Sequence, residues 1–214
     1  MSTDYIAGWQ GAAHDWDRRQ RWGTNFLITE GRLSPTDYLL DLGCGPLCLG
    51  SKLIAYLDPG HYTGVDRDAT LLGAGNALVT YKGLEKKSPT LLCTQDLSTV
   101  DCGRVFDVFW SHSVFIHMDP ATVLTALDFL ARHLADTGTA YFTMNLGPHD
   151  VLGTWWCGPN YQHPMPEHPA LDISVFGLLT DLGDAVWCPP GSGMQATMLQ
   201  ATRRCACRTT ATVN

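Results

Sequence analysis

The sequence predicts an α/β fold: a largely parallel sheet with helices on both faces and an antiparallel pair of strands at its C-terminal edge. Three observations predict it. Short apolar runs alternate with stretches of helical spacing from residue 36 onward. The first of these runs, YLLDL at 38–42, passes directly into a glycine turn and then a helix. Near the end, two short runs flank PPGSG at 189–193, a hairpin signal.

Residues 4–34 read as mostly helical and rich in aromatics: Tyr5, Trp9, Trp16, Trp22 and Phe26, interleaved with Asp15, Asp17, Arg18, Arg19 and Arg21. Either this stretch packs its tryptophans on the main domain as an amphipathic helix, or it caps a ligand and sets an arginine fork on a carboxylate. Ser34-Pro35 breaks it before the first strand.

YLLDLGCGPLCLG at 38–50 organises the rest. A continuous apolar run suits a strand buried on both faces. Gly43 and Gly45, with only Cys44 between them, let backbone approach a ligand where side chains would obstruct it. Leu49, Leu53, Ile54 and Leu57 then fall at helical spacing until Pro59-Gly60, and the helix start is expected to offer free N–H groups. A nucleotide-like ligand suits such a turn.

HYTGVD at 61–66 is the second strand, and Asp66 closes it 23 residues after Gly43. A carboxylate there is placed to accept from ribose hydroxyls. It could instead cap the next helix, but Asp68 is the better cap for the run through Leu71, Leu72, Leu78 and Val79. TLLCT at 90–94 is the third strand, followed by Asp96, which either accepts from an adenine amino group or serves as a turn aspartate. VFDVFW at 105–110 is the fourth, with SHSVFIHMDP at 111–120 immediately beyond. Asp119-Pro120 opens a helix whose face carries Val123, Leu124, Leu127, Leu130, Ala131 and Leu134. TAYFTMN at 139–145 is the fifth strand, ending on Asn145. Residues 147–170, with Trp155, Trp156, Tyr161, His163 and His168, read as a functional loop. Residues 172–182 are expected to form a helix stopped by Gly183, and 185–188 and 194–204 the last two strands.

Composition bounds the function. The 214 residues suffice for one domain with a sizeable core, and 45% apolar with 16% charged residues is globular. A formal charge of −7 disfavours a nucleic-acid partner, which needs a basic face. No run spans a bilayer, and MSTDYIAGWQ is not a secretory signal, so a cytoplasmic protein is expected. The eight cysteines form no CxxC pair and read as reduced thiols. His149, His163, His168 and Cys157 match no metal spacing, so no metal is expected.

Gly43, Asp66, Asp96 and Ser111 all fall at the carboxyl ends of strands in this reading, where open α/β sheets bind ligands. DLGCG, GVD, TQD and FDVFWSHSVFIHM, in this order and spacing, resemble the class I S-adenosylmethionine-dependent methyltransferases over residues 36–145. The resemblance implies a Rossmann-like, doubly wound, seven-stranded sheet of order 3-2-1-4-5-7-6 with an antiparallel C-terminal hairpin. It implies a single domain over 1–214, with an N-terminal cap at 1–34 and a substrate or lid loop at 147–170. It makes Asp41, Gly43, Cys44 and Gly45 the pocket for the methionine part of S-adenosylmethionine. It makes Asp66 the ribose ligand with Arg67 beside it, Asp96 and Leu97 the adenine neighbours, and Ser111 a further cofactor neighbour. The sequence departs from the family in lacking its third glycine, since Pro46-Leu47 follows Gly45. Cys48 at the sixth position of GCGPLC also counts against a nicotinamide cofactor.

The expected function is methyl transfer to a small molecule. Such a reaction needs the acceptor held in line and, for a protonated acceptor, a base. His117 and His112 flank the expected reaction face and are the candidate bases; the other role open to each is to order the turn after the fourth strand. Trp155, Trp156 and Tyr161 either wall the substrate or anchor their loop. A second reading has bound S-adenosylmethionine cyclised or cleaved by internal attack, with Asn145 and Tyr161 orienting its amino group and methylthioadenosine released. A third is a non-catalytic binding protein on the same fold.

Overall fold

The computed structural model describes residues 13–146, 165–179 and 196–204. Its elements, in chain order, are α1 (Ala13–Thr29), β1 (Leu39–Leu42), α2 (Gly50–Tyr56), β2 (Tyr62–Asp66), α3 (Ala69–Tyr81), β3 (Thr90–Cys93), β4 (Phe106–Ser111), α4 (Pro120–His133), β5 (Leu134–Met144), β6 (Leu171–Leu179) and β7 (Ala196–Arg203). Short 3-10 turns occur at Glu85–Lys87 and Phe115–His117. The described strands form one sheet of order β3-β2-β1-β4-β5-β7-β6, as expected. β3, β2, β1, β4 and β5 are parallel, while β7 runs antiparallel to both β5 and β6.

Every residue of β1 and β2 is buried, which explains why the acid-terminated apolar runs carry no polar alternation. Leu40, Leu42, Val65, Phe109 and Phe142 point to one face and pack against Val123, Leu127, Phe129 and Leu130 of α4. Leu39, Tyr62, Val108, Trp110, Tyr141 and Met198 point to the other and pack with Leu27, Leu53, Ile54, Leu72 and Val79 of α1, α2 and α3. The sheet is thus covered on both sides. Helix starts are fixed as the sequence suggested. Asp68 accepts from the N–H groups of Thr70 (2.8 Å) and Leu71 (3.3 Å). Asp119 accepts from those of Ala121 (2.9 Å) and Thr122 (3.0 Å), with Pro120 in the first turn.

The expectation of a helix over 172–182 is overturned. Residues 171–179 form β6, pairing with β7 from Leu171↔Arg203 to Leu179↔Ala196. Ile173, Phe176 and the following leucines lie close to helical spacing, which favoured the wrong period. Leu171, Ile173 and Val175 also alternate at period two, and β-branched residues suit a pleated surface. A register shift between Val175 and Gly177 breaks that alternation halfway, so neither period runs cleanly through the segment. The expected strand at 185–188 and its loop at 189–193 lie outside the described residues.

Candidate active site

All five parallel strands present their carboxyl ends along one edge. Strand order reverses between β1 and β4, the position at which such sheets open a crevice. After Leu42 the chain turns sharply, with φ +74° at Gly43 and +53° at Gly45. The turn folds onto the end of β2. The Gly43 and Cys44 N–H groups both donate to Val65 O (2.7 and 3.2 Å). The Gly45 N–H donates to Asp66 Oδ2 (2.8 Å), and the Asp68 N–H to Asp66 Oδ1 (2.9 Å). Asp66 is only 8% exposed, so Gly43 and Asp66 share one crowded rim.

The turn spends several of its own N–H groups internally: the Leu47 N–H donates to Cys44 O and the Ser51 N–H to Leu47 O. Acceptors also stand along the rim. Asp66 gives one oxygen to each backbone donor and keeps further lone pairs. Asp41, 4% exposed, accepts from the Tyr62 hydroxyl at 2.7 Å. Asn145, 5% exposed at the end of β5, has an Oδ1 with no hydrogen-bond partner among the described residues. A phosphate would meet the wrong sign here. A ligand carrying hydroxyl or ammonium donors and positive charge fits.

Burial raises the Asp41 carboxyl to about 7; the Tyr62 hydrogen bond opposes this and the nearby Asp66 charge adds to it. Burial, with the Asp41 and Asp66 charges, also pushes the Cys44 thiol well up, so it is a neutral packing group. The Cys44 sulfur lies against Gly64, where a Cβ would come within 2.7 Å of it.

The remaining sequence candidates separate. Arg67 is exposed directly after Asp66. Asp96 is exposed beyond β3 and accepts from the Ser98 hydroxyl (2.6 Å) and N–H (2.9 Å), bonds that hold its carboxyl below the usual range. It has the geometry of the turn aspartate and still faces solvent. Leu97 packs half-buried against the core, and its carbonyl accepts from Arg132 at 2.7 Å. Ser111 is fully buried and donates to Leu42 O at 3.1 Å, tying the ends of β4 and β1 together.

Beyond β4 the two histidines take different settings. The His112 ring stacks on Trp110 (5.8 Å, 5°) and lies under Trp22 of α1 (5.5 Å), with Nδ1 3.2 Å from Ser113 Oγ. Phe26 of α1 completes this cluster against Trp110, Tyr141 and Phe176. Trp22 and Phe26 of α1 therefore pack on the domain and also roof the end of β4. His117 closes the 3-10 turn; its side chain reaches solvent, yet partial desolvation holds its pKa below the ordinary value. Tyr161, like Trp155, Trp156, His149, His163 and Cys157, lies outside the described residues. His168 is buried and bonds Asp128 of α4 through Nε2 at 2.9 Å, a structural anchor.

Three residues that matter here escaped the sequence reading. Tyr62 donates to Asp41; the parallel register Leu39↔Tyr62 and Asp41↔Gly64 puts it on Asp41's face, a relation visible only once strands are paired. Val114 covers Gly43, and a Cβ built on that glycine would come within 2.2 Å of Val114 Cγ2. Thr143 accepts from the Ser113 N–H at 2.7 Å, pinning a residue with φ +58°. A cavity of about 460 Å³ lies toward the other edge, walled by Ser98, Arg104, Arg132 and His133. Its polar groups are already engaged: Arg104 over the Tyr38 ring, Arg132 on two carbonyls, His133 between Cys102 N–H and Phe129 O.

Comparison with known proteins agrees with this geometry. Residues 40–140 match a family model described as a methyltransferase domain. A curated relative, "Probable methyltransferase ltbC" of Aspergillus luteorubrus, is 28% identical over 143 residues, covering 64% of this chain; the match spans half of that protein's length. Among solved structures, the magnesium protoporphyrin IX methyltransferase of Synechocystis with bound S-adenosylmethionine superimposes with a TM-score of 0.60 at 17% identity, over 89% of this chain and 80% of its own. An S-adenosylmethionine-dependent methyltransferase from Clostridium acetobutylicum gives 0.61 at 14% identity, over 93% and 98%. Residues 40–140 are therefore similar to a methyltransferase domain, and the chain shares the fold of these solved methyltransferases.

Proposed function

We propose that this chain is an S-adenosylmethionine-dependent methyltransferase acting on a small molecule. The observation that supports the reading is a row of acceptors along one sheet edge: Asp66 bonded to the left-handed glycine turn, Asp41 buried on the strand that enters it, and Asn145 Oδ1, without a hydrogen-bond partner among the described residues, at the end of β5. S-adenosylmethionine, when bound, supplies an electrophilic methyl on a sulfonium. Asp66 would hold the ribose hydroxyls, Asp96 and Leu97 would border the adenine, and the turn with Asp41 would hold the methionine end. Arg67 and Ser111 support the rim from solvent and from beneath.

The chain's own contribution is to place and deprotonate the acceptor. The lowered pKa of His117 leaves it unprotonated near neutrality and able to take a proton from a hydroxyl or ammonium acceptor. His112 is held by stacking on Trp110 and by a tilted contact with Trp22, and orients whatever lies against its edge. Trp22, Phe26 and Phe176 offer apolar surface at this end, which suits a small, partly aromatic acceptor in a chain of net charge −7. The 1–34 and 147–170 segments would complete the acceptor pocket of a single domain.

The test is incubation with S-adenosylmethionine and a panel of small hydroxyl and amine acceptors, with products identified by mass spectrometry. S-adenosylhomocysteine and a methylated acceptor are expected. Methylthioadenosine would move the reaction to internal cleavage, and tight binding with no product would make the protein a non-catalytic binder.

A further inference from the structure

Between β4 and the Phe115–His117 turn lies a short segment, residues 112–114, fixed at both ends. Upstream, the Ser111 hydroxyl donates to Leu42 O at 3.1 Å. Downstream, Phe115 is fully buried, with its ring 4.6 Å from that of Phe142. Between these anchors Ser113 takes φ +58°, a left-handed conformation that a non-glycine residue holds only where its surroundings impose it. Thr143 of β5 imposes it: the threonine hydroxyl oxygen accepts from the Ser113 N–H at 2.7 Å. Thr143 is fully buried, and a β-branched side chain has little rotamer freedom, so this acceptor is fixed in place. On one side of the bend His112 lies against Trp110 and Trp22; on the other, Val114 closes onto Gly43. Val114 Cγ2 fills the space in which a side chain on Gly43 would stand. A glycine at a ligand turn admits close approach, and here the group that approaches is Val114.

We propose that Ser113 and Val114 form a gate over the glycine turn, held shut by the Thr143 hydroxyl, and that a ligand reaches Gly43 only when Val114 withdraws. The inference rests on the proposed function, which puts the methionine end of S-adenosylmethionine at this turn. The shut arrangement gains the Ser113–Thr143 hydrogen bond and the Val114 contact, and carries the left-handed strain of Ser113. The open arrangement loses the bond, relieves the backbone and uncovers Gly43. Apparent affinity is then the intrinsic affinity multiplied by the open fraction.

Breaking this buried hydrogen bond should therefore tighten binding. Valine at position 143 has the shape of threonine without the acceptor, so the shut arrangement alone is weakened. At ordinary hydrogen-bond strength the open fraction, and with it the affinity, should rise about three- to tenfold. A threonine that only supports the fold gives unchanged or weaker binding when it is replaced.

The experiment is isothermal titration calorimetry of the whole chain with S-adenosylhomocysteine. Thr143→Val should bind about three- to tenfold more tightly than the parent, and Thr143→Ser, which keeps the hydroxyl, within about twofold of it. Val114→Ala should also bind more tightly, and adding Thr143→Val to it should gain less than in the parent background, because both act on one gate. Val114 is only half-buried, so this variant gives a result even where Thr143→Val does not fold. Unchanged or weaker binding in Thr143→Val, or in Val114→Ala where that alone folds, overturns the gate and leaves the methyltransferase reading intact, as does equal tightening in Thr143→Ser. A parent chain that binds no S-adenosylhomocysteine overturns both.

Discussion

Replacing Gly43 by alanine tests the turn at its tightest point. Gly43 holds φ +74°, a left-handed conformation that costs an L-residue about 1–2 kcal/mol. The added methyl would also stand 2.2 Å from Val114 Cγ2 and 3.2 Å from Cγ1, well inside contact distance. Overpacking of this kind costs about 1–3 kcal/mol, so Gly43→Ala should destabilise the ligand-free protein by about 2–5 kcal/mol. The two contributions are separable. Val114→Ala removes the colliding methyls at its own cost of about 1 kcal/mol, since Val114 is only half-buried. In the double variant the collision disappears and the backbone cost remains. The cycle should therefore show a favourable coupling of about 1–3 kcal/mol. Urea unfolding followed by tryptophan fluorescence measures all four proteins. A coupling below about 0.5 kcal/mol, with Gly43→Ala still costly, would refute the packing of Val114 on the turn. A neutral Gly43→Ala would refute the turn conformation itself.

Other expectations follow from the same geometry. Asp41 is raised from 3.8 to about 7 in the folded state, so its contribution to stability is fully present below pH 3.8 and lost as pH rises to about 7, on the order of 4 kcal/mol in all. Asp41→Asn should flatten that fall in urea melts from pH 4 to 8; an unchanged slope would show that another group carries it. Asp66→Ala removes a charged acceptor from the Gly45 and Asp68 N–H groups and should weaken S-adenosylmethionine binding by about 1–3 kcal/mol, read by calorimetry. An unchanged dissociation constant would take the ribose role from Asp66. His117→Gln should lower the turnover rate with cofactor affinity intact, and in the parent protein the rate should fall as pH drops through a histidine pKa below 6.5. An unaltered rate would return His117 to ordering the turn.

The parallel half of the fold was legible because its strands are buried on both faces. LLDL and YTGVD have no polar alternation, and glycine, proline and aspartate mark their ends. The C-terminal half was harder to read. β6 carries a register shift at Val175/Gly177, and its exposed residues Val175 and Phe176 blur the inside-outside pattern that identifies a strand. At the site, Gly43, Gly45 and Asp66 could be placed from spacing because each closes a strand. Tyr62, Val114 and Thr143 could not, since their contacts depend on strand register and on a loop folding back over the turn. Ser111 shows the reverse case: its position at a strand end was legible, but the pleat turns its hydroxyl beneath the rim toward Leu42 O.

The most direct test of the account is a crystal structure of the chain with S-adenosylhomocysteine. The ribose hydroxyls should lie on the Asp66 carboxylate, with adenine beside Asp96 and Leu97 and the amino-acid end over Gly43 and Gly45. A nucleoside bound at any other edge of the sheet, or a rim still closed by Val114 at saturating ligand, would contradict it.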